Sequence, residues 1–585
     1  MKRLLLVMMI MLNLTLISQV NSPIVIERPK DFEYLMAPDS TGKRNQLKMP
    51  SLEQSVLAQR MKLPYPILFI HGLWSGSDTW DASTNFMDSQ YGLTFGGRID
   101  FCLNFDGNNN TTNVNFYPTN GADLALFQPT LIDGDYYYLN FDVGSNGMVK
   151  PFLTYPYNVA SNEQAVFKQG LAVKWAIYYI LKLTGRDKVV LMGHSMGGLA
   201  SREYLQNPAL WQADGQTHVA KLVTTGTPHG GSNTVTAGAL YGPDGQSEAV
   251  RDLRAAYYYS GNSGTYLFGG KENLSYMNDQ FCCYFYNSDV NCNGITGETI
   301  TGLNQKSIYT NVDYSCIIGE CTGCVLGKYT GDGVVNDYSA NLNNFYTGLN
   351  ANLFYYNASA AAQIHTNLPN QYYQNMQGLD EPNNYLVAYN IGFDKIYTGF
   401  TTIQSNASYP DYDDYKFKIS STGNVNVHIS NIALADFGVH ILDLNSKTVG
   451  SIVYSAGSST IDFSQFLTAG SYYLEIFGTP TSASYLYPYN FALNFNSSTV
   501  GINDTPPKAE INIYPNPSTG NFVITQNIAV KSEVEIFNIV GERVYITELL
   551  NIQATIDLSK EAKGVYYVKV TDTYKNITNK RIVIQ

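Results

Sequence analysis

Apolar positions along the chain follow two rhythms. Up to about residue 390, short continuous apolar runs alternate with stretches of helical spacing. Pro64 to Ile70, Val189 to Met192 and Val219 to Thr225 are such runs, the pattern of strands buried on both faces. Tyr136 to Phe141 and Val312 to Ile318 predict two more strands. Glu163 to Thr184 places Val166, Leu171, Val173, Ile177, Ile180 and Leu181 on one helical face and stops at Gly185, a C-cap residue. A second helix is predicted directly behind Met192, carrying Leu199, Ala200, Tyr204 and Leu205. Strand, helix, strand, helix, strand in that order implies a parallel sheet with helices on both faces. Weaker amphipathic stretches at Ser51 to Lys62 and Ser247 to Tyr258 predict short helices.

The α/β rhythm lapses over residues 232–325, which reads as a lid-like insertion or a surface excursion. Beyond residue 390 the pattern becomes strict alternation. Asp414 to Ile419 and Val425 to Ile429 read as half-buried antiparallel strands. Gly470-Ser-Tyr-Tyr-Leu-Glu-Ile476 and Gly564-Val-Tyr-Tyr-Val-Lys-Val570 repeat one signature, a turn glycine followed by an alternating strand. The expected organisation is a leader over 1–22, an α/β domain over 23–390, and two small all-β sandwiches over 391–500 and 511–585. A linker, 501–510, contains Asn503-Asp-Thr-Pro-Pro-Lys508.

A chain of 585 residues exceeds what one core supports, which agrees with several domains. Only 14% of residues are charged, while Tyr numbers 46 and Phe 27, a composition that suits an exported, β-rich protein. The formal net charge of -12 argues against a nucleic-acid partner, which would call for a basic face. Lys2 and Arg3 followed by Leu4 to Leu12, Leu14, Leu16 and Ile17 read as a secretory signal cleaved between Ser18 and Ser22. The apolar run is too short, and too broken by Asn13 and Thr15, for a membrane anchor. No other segment is long and apolar enough to span a bilayer, so the mature chain is expected to have no transmembrane segment. Seven cysteines, six of them between Cys282 and Cys324, are expected mostly as disulfides that staple this region and leave one thiol over.

Candidate chemistry centres on Gly193-His-Ser-Met-Gly197, set between the strand ending at Met192 and the helix that follows. A serine in a strained strand-to-helix turn needs almost no side chain two positions away on either side, and Gly193 and Gly197 meet that need. The turn raises the Ser195 hydroxyl above the carboxyl end of the sheet, beside the free N–H groups of the new helix. Such a nucleophile needs a base and an acid to orient the base. His218 precedes a strand, at the wrong end of the sheet, and His229 has no acid between it and Ser195 at a strand end. His428 and His440 lie in sandwich pattern. His365 remains as the base. Asp332, between Gly331 and Gly333, is the acid, with Asp337 as runner-up. The backbone N–H groups of Leu73 (in His71-Gly72-Leu73 after the first strand) and Met196 are the expected oxyanion donors.

Residues from about 60 to 380 resemble the lipase/esterase branch of the α/β-hydrolases, and also the GPI inositol-deacylase-like lipases. The carriers are His71-Gly72-Leu73, Gly193-His-Ser-Met-Gly197, Thr225-Gly-Thr-Pro-His-Gly230, Gly331-Asp-Gly-Val-Val335 and His365. The resemblance implies a Ser195, His365, Asp332 triad acting on a carboxylic ester or lipid, with no cofactor in the chemistry. An amidase or peptidase on the same triad, and a non-catalytic adhesion or glycan-binding protein, are the alternatives. Asp289-Val-Asn-Cys-Asn-Gly294 resembles a calcium loop, with Asp289, Asn291 and Asn293 as ligands of a structural ion, but Ile300 stands where the closing glutamate belongs. Residues from about 392 to 498 resemble the pre-peptidase C-terminal sandwich of secreted bacterial hydrolases. Residues 511–585 resemble the type IX secretion sorting domain, through Ile513-Tyr-Pro-Asn-Pro-Ser-Thr-Gly520, Val534-Glu-Ile-Phe-Asn-Ile-Val-Gly541 and Gly564 to Val570. That resemblance implies the type IX machinery as a partner, and a secreted or surface-attached product.

Overall fold

The computed structural model describes residues 24–26, 62–105, 123–127, 131–144, 159–232, 248–253, 270–271, 299–321, 325–326, 329–358, 364–402, 410–433, 436–478, 484–498, 509–528, 531–573 and 575–585. The continuous apolar runs form the middle of a nine-stranded sheet. Its order from edge to edge is Ile24–Ile26, Asp123–Phe127, Phe95–Phe105, Tyr136–Asn140, Ile67–Ile70, Val189–His194, Val219–Thr225, Asp313–Cys321, Asn352–Ala358. The last seven in that order are parallel, and the first two are each antiparallel to their inner neighbour. Ile67–Ile70, Tyr136–Asn140, Val189–His194 and Val219–Thr225 are buried at every position, as strands covered on both faces must be.

On one face, Leu68, Ile70, Tyr137, Leu139 and Leu191 pack against the helices Val166–Thr184 and Met196–Gln206. On the other, Phe69, Tyr136, Val190, Met192 and Val223 pack with Trp80 and Met87. That second core runs without a break into the first sandwich, taking in Tyr389, Tyr397, Phe400, Tyr415 and Phe491. Residues up to Ser497 accordingly form one compact unit, and the boundary expected at 390 falls inside a shared core.

The sandwich pairs a five-stranded sheet (Tyr389–Asn390, Asp411–Ile419, Gly470–Gly478, Phe437–Leu442, Thr448–Tyr454) with a four-stranded one (Ile396–Gly399, Tyr489–Ser497, Gly423–Ser430, Ile461–Leu467). Its junction with the nine-stranded sheet is polar at one point. The buried carboxylates of Asp380, Asp411 and Asp413 lie within 4.8 Å of one another. Lys221 Nζ donates to the Asp380 carbonyl at 2.5 Å and pairs with Asp313 at 2.8 Å. Burial and mutual repulsion hold the Asp380 and Asp413 carboxyls well above the usual range, and Glu381 is pushed up to about 8. Asp414 also rises to about 8, through burial and the nearby Glu475 charge.

Residues 498–585 form the second unit. It has a three-stranded sheet (Ile511–Tyr514, Asn521–Gln526, Gln553–Asp557), a four-stranded one (Arg543–Leu549, Ser532–Phe537, Gly564–Asp572, Ile577–Ile584), and a core of its own around Ile524, Val534, Ile536, Val568 and Ile582.

Several expectations change. Asp313–Cys321 is a full strand of the main sheet, so an insertion drawn over 232–325 overruns the fold at its end. Of the helix expected over Ser247 to Tyr258, Glu248–Asp252 is described as helical. Cys316 is not a half-cystine of the expected disulfide cluster: it is a buried thiol, packed among Ile318, Tyr314 and Leu342 on the helical side of the sheet. Cys102 is likewise a buried thiol. The leader, the helix at Ser51 to Met61, the linker Asn503 to Lys508 and the calcium loop at Asp289, Asn291 and Asn293 lie outside the described residues. Among the described residues no helix is long and apolar enough to cross a membrane.

Candidate active site

Ser195 stands at the end of the Val189–His194 strand with φ +52° and ψ -122°, a left-handed conformation that L side chains rarely adopt. The glycines explain how the turn closes. A Cβ on Gly193 would fall 2.4 Å from Gly198 N, and one on Gly197 would fall 2.5 Å from the Ile70 carbonyl oxygen. Ser195 N–H donates to the Thr225 carbonyl at 2.8 Å, which ties the turn to the next strand.

His365 arrives on the short helix Ile364–Asn367. Its Nε2 lies 2.9 Å from Ser195 Oγ and its Nδ1 lies 2.6 Å from Asp332 Oδ2. With Nδ1–H given to the carboxylate, Nε2 presents a lone pair to the serine hydroxyl. Asp332 is itself fixed, because its other oxygen accepts N–H bonds from Val334 (3.0 Å) and Val335 (2.7 Å). Gly333 has φ +95°, the conformation that lets the chain fold back to supply those donors. Ser195, His365 and Asp332 are all at least nine-tenths buried. Asp337, the runner-up acid, instead starts the helix Asp337–Ala340 and accepts from Thr330 Oγ1 at 2.8 Å.

The other histidines have structural partners. His194 Nε2–H donates to the His365 carbonyl at 2.9 Å, and the two rings lie 4.9 Å apart. Burial pushes His194 well below its ordinary pKa, so it stays neutral beside His365. His229 is held between Thr224 Oγ1 (3.1 Å) and Arg202 (3.4 Å). His218 bonds the exposed Asp214.

Gly72 lies directly against the serine, since a Cβ there would come within 2.8 Å of Ser195 Cβ. Leu73 packs with Met196, Leu199 and Val166. His71 is fully buried, and burial lowers its pKa to about 4. Its Nε2 accepts the Phe141 N–H at 2.8 Å, so Nδ1 carries the proton and donates to the Gly72 carbonyl at 2.9 Å. Sequence reasoning named the Leu73 amide but missed Ser75, Asn162 and Glu163, which surround this turn. They lie outside any motif, and Asn162 and Glu163 are 87 or more positions from the residues they hold.

Residues 64–241, which include the first strand, the serine turn and the Val219–Thr225 strand, match the family model described as PGAP1-like alpha/beta domain. The fold is that of the α/β-hydrolases. Residues 512–585 match the secretion system C-terminal sorting domain. A tail of this kind marks the chain for export through the type IX machinery, to the cell surface or beyond. No curated protein matches the chain. Among solved structures it is similar to the Bacillus licheniformis lipase BlEst2 in propeptide form (15% identity, 91% of this chain and 94% of that one, TM-score 0.26). It is also similar to the lin2722 gene product of Listeria innocua (12% identity, 55% and 95%, TM-score 0.30). A third likeness is to the pre-peptidase C-terminal domain of Bacillus anthracis collagenase (17% identity, 20% and 99%, TM-score 0.15). At these scores none of the three bears on the chemistry.

Proposed function

We propose that this α/β-hydrolase is an exported serine hydrolase that cleaves carboxylic esters. Its residues would be Ser195 as nucleophile, His365 as base, Asp332 as orienting acid, and the Leu73 and Met196 amides as oxyanion donors. The observation that carries the reading is the unbroken hydrogen-bonded chain from Ser195 Oγ through His365 to Asp332, at the carboxyl ends of the sheet strands.

In this reading Ser195 Oγ attacks the acyl carbon while His365 Nε2 takes the hydroxyl proton. The carbonyl π pair moves onto oxygen, where the two amides meet it. Collapse breaks the bond to the alcohol, which leaves with the proton from His365. Water then attacks the acyl-enzyme with His365 again as base, releasing the acid and restoring Ser195. Asp332 remains a carboxylate throughout, stabilising the imidazolium and fixing its tautomer. No cofactor takes part.

Hydrolysis of p-nitrophenyl esters from short to long acyl chains, by the secreted protein and its Ser195→Ala variant, tests the proposal. Turnover lost in the variant supports it, and the preferred chain length separates esterase from lipase. Folded protein that turns over no ester sinks it; turnover of amides alone would point to an amidase on the same residues.

A further inference from the structure

We propose that Ser75 and Asn162 are positioning residues of the oxyanion hole, which aim the Leu73 N–H by clamping the peptide and the turn that carry it. The inference rests on the reading of Leu73 as a donor and deepens it.

A peptide is planar and trans, so its C=O and N–H point in opposite directions. Whatever grips the Gly72 carbonyl therefore sets the direction of the Leu73 N–H. Two buried side chains grip it: Ser75 Oγ–H donates at 3.0 Å and His71 Nδ1–H at 2.9 Å. Both lone pairs of the carbonyl oxygen are engaged. Turning this peptide over would break two buried hydrogen bonds and leave their donors unsatisfied. A carbonyl that accepts two hydrogen bonds also polarises its own amide and strengthens the N–H as a donor.

Ser75 can hold that carbonyl only if the turn itself stays in place, and the turn is strained. Trp74 sits at φ +54°, a conformation that is unfavourable for a residue with a Cβ. The Asn162 amide opposes relaxation from both sides of that residue. Its Oδ1 accepts the Trp74 N–H at 2.8 Å and its Nδ2 donates to the Ser75 carbonyl at 2.7 Å. The next residue, Glu163, accepts the indole N–H of Trp74, so backbone and ring are held from one short segment. Asn162 is 1% exposed and Glu163 fully buried. A backbone-to-backbone contact would tie the turn down without an amide side chain. An asparagine matches both an outward N–H and an outward C=O on successive residues, which neither Asp nor Leu does.

The segment that supplies the clamp is tied in turn to the chain after residue 232. Glu248 accepts the Ala165 N–H and Asp252 the Val166 N–H, both at 2.9 Å. Ala249 and Leu253 from the same piece pack with Leu73, Met196 and Leu199.

The test compares Ser75→Ala, Ser75→Thr and Asn162→Asp with wild type, each checked for folding by its thermal midpoint. The readouts are kcat and KM on a p-nitrophenyl ester, and the rate at which a fluorophosphonate modifies Ser195. Losing an oxyanion donor outright costs about a hundred- to a thousand-fold, so a mis-aimed donor should cost about tenfold or more. The expected result is that Ser75→Ala and Asn162→Asp lower kcat and the phosphonylation rate together by that factor, with KM within about twofold, and that Ser75→Thr restores both. Unchanged kcat, a loss borne by KM, or no rescue by threonine would overturn the proposal. If Ser195 reacts with the fluorophosphonate but no ester turns over, the substrate reading fails while the phosphonylation rates still decide the clamp. If Ser195 in folded wild type never reacts, both fall.

Discussion

His365 Nε2 meets Ser195 Oγ at 2.9 Å although 170 residues separate them in the chain. The contact is made by the sheet, which brings the ends of Val189–His194 and Asp313–Cys321 to one side, and by the short helix after Asn352–Ala358. Ser195→Ala should therefore abolish ester turnover, by about a million-fold on the scale of serine nucleophile removal. Its thermal midpoint should stay near that of wild type, since only one hydroxyl is lost. Residual turnover within tenfold of wild type, read from initial rates, would rule Ser195 out.

Asp332 and Asp337 give a matched pair. Asp332→Asn should drop kcat by about ten-thousand-fold, the scale seen when the acid can no longer hold the imidazole tautomer. Asp337→Asn should change kcat less than about threefold, because that carboxylate accepts from the Thr330 hydroxyl and the Tyr338 N–H. Initial-rate kinetics on both variants settles which acid works. The reverse pattern would move the acid role to Asp337.

Stability should pass through a maximum on the acid side of neutral, for two opposing reasons. Glu381 and Asp414 have folded pKa values raised to about 8, so the folded state binds more protons than the unfolded chain does. Their contribution is complete below the ordinary carboxylate range and is lost as pH rises toward 8. Lys221 beside Asp380 and Asp313 offsets part of the charge. His71, lowered to about 4, acts in the opposite sense. It is neutral when folded and would be charged when unfolded between about 4 and 6.5, so stability falls as pH drops through that window. His194 and His229, also lowered by burial, add to that acid side. Thermal melts from pH 4 to 9 should show a maximum between these limits. A midpoint that rises steadily to pH 9 would refute the carboxyl part.

Truncation should expose the difference between the two sandwiches. Ending the chain after Ser497 removes a unit with its own core and should leave ester turnover within about twofold. Ending it at Asn390 strips the cover from Tyr91, which stacks on Phe400 at 5.2 Å, and from Phe86, which meets Tyr485 at 5.6 Å. That fragment should fail to fold, as judged by soluble yield and circular dichroism. A folded, active 1–390 fragment would contradict the shared core. In the cell, loss of 511–585 should stop export, read by fractionating the culture.

The strands and the serine turn were legible because their signals are local. Buried strands show continuous apolar runs, and Gly193 and Gly197 sit where a Cβ would strike backbone. Asp332 was found through its flanking glycines, which the structure accounts for by the folded-back Val334 and Val335 amides. The joined core was not legible, because alternation in Asp411–Ile419 shows which residues are buried but not what buries them. Cys316 misled for the same reason: cysteine spacing cannot tell a thiol packed in a sheet from a half-cystine beside it. Asn162 left no trace in the pattern, since one buried amide has no periodicity.

The unbroken core from Phe69 through Tyr397 to Phe491 has a practical consequence. To a heat ramp or a gene-fusion experiment, the described residues up to Ser497 are a single cargo, with no seam at the point where the α/β pattern gives way. The place to cut, label or swap modules is the stretch after Ser497. An export tail grafted there onto an unrelated passenger, or this passenger recloned behind a different address label, is the exchange the architecture permits.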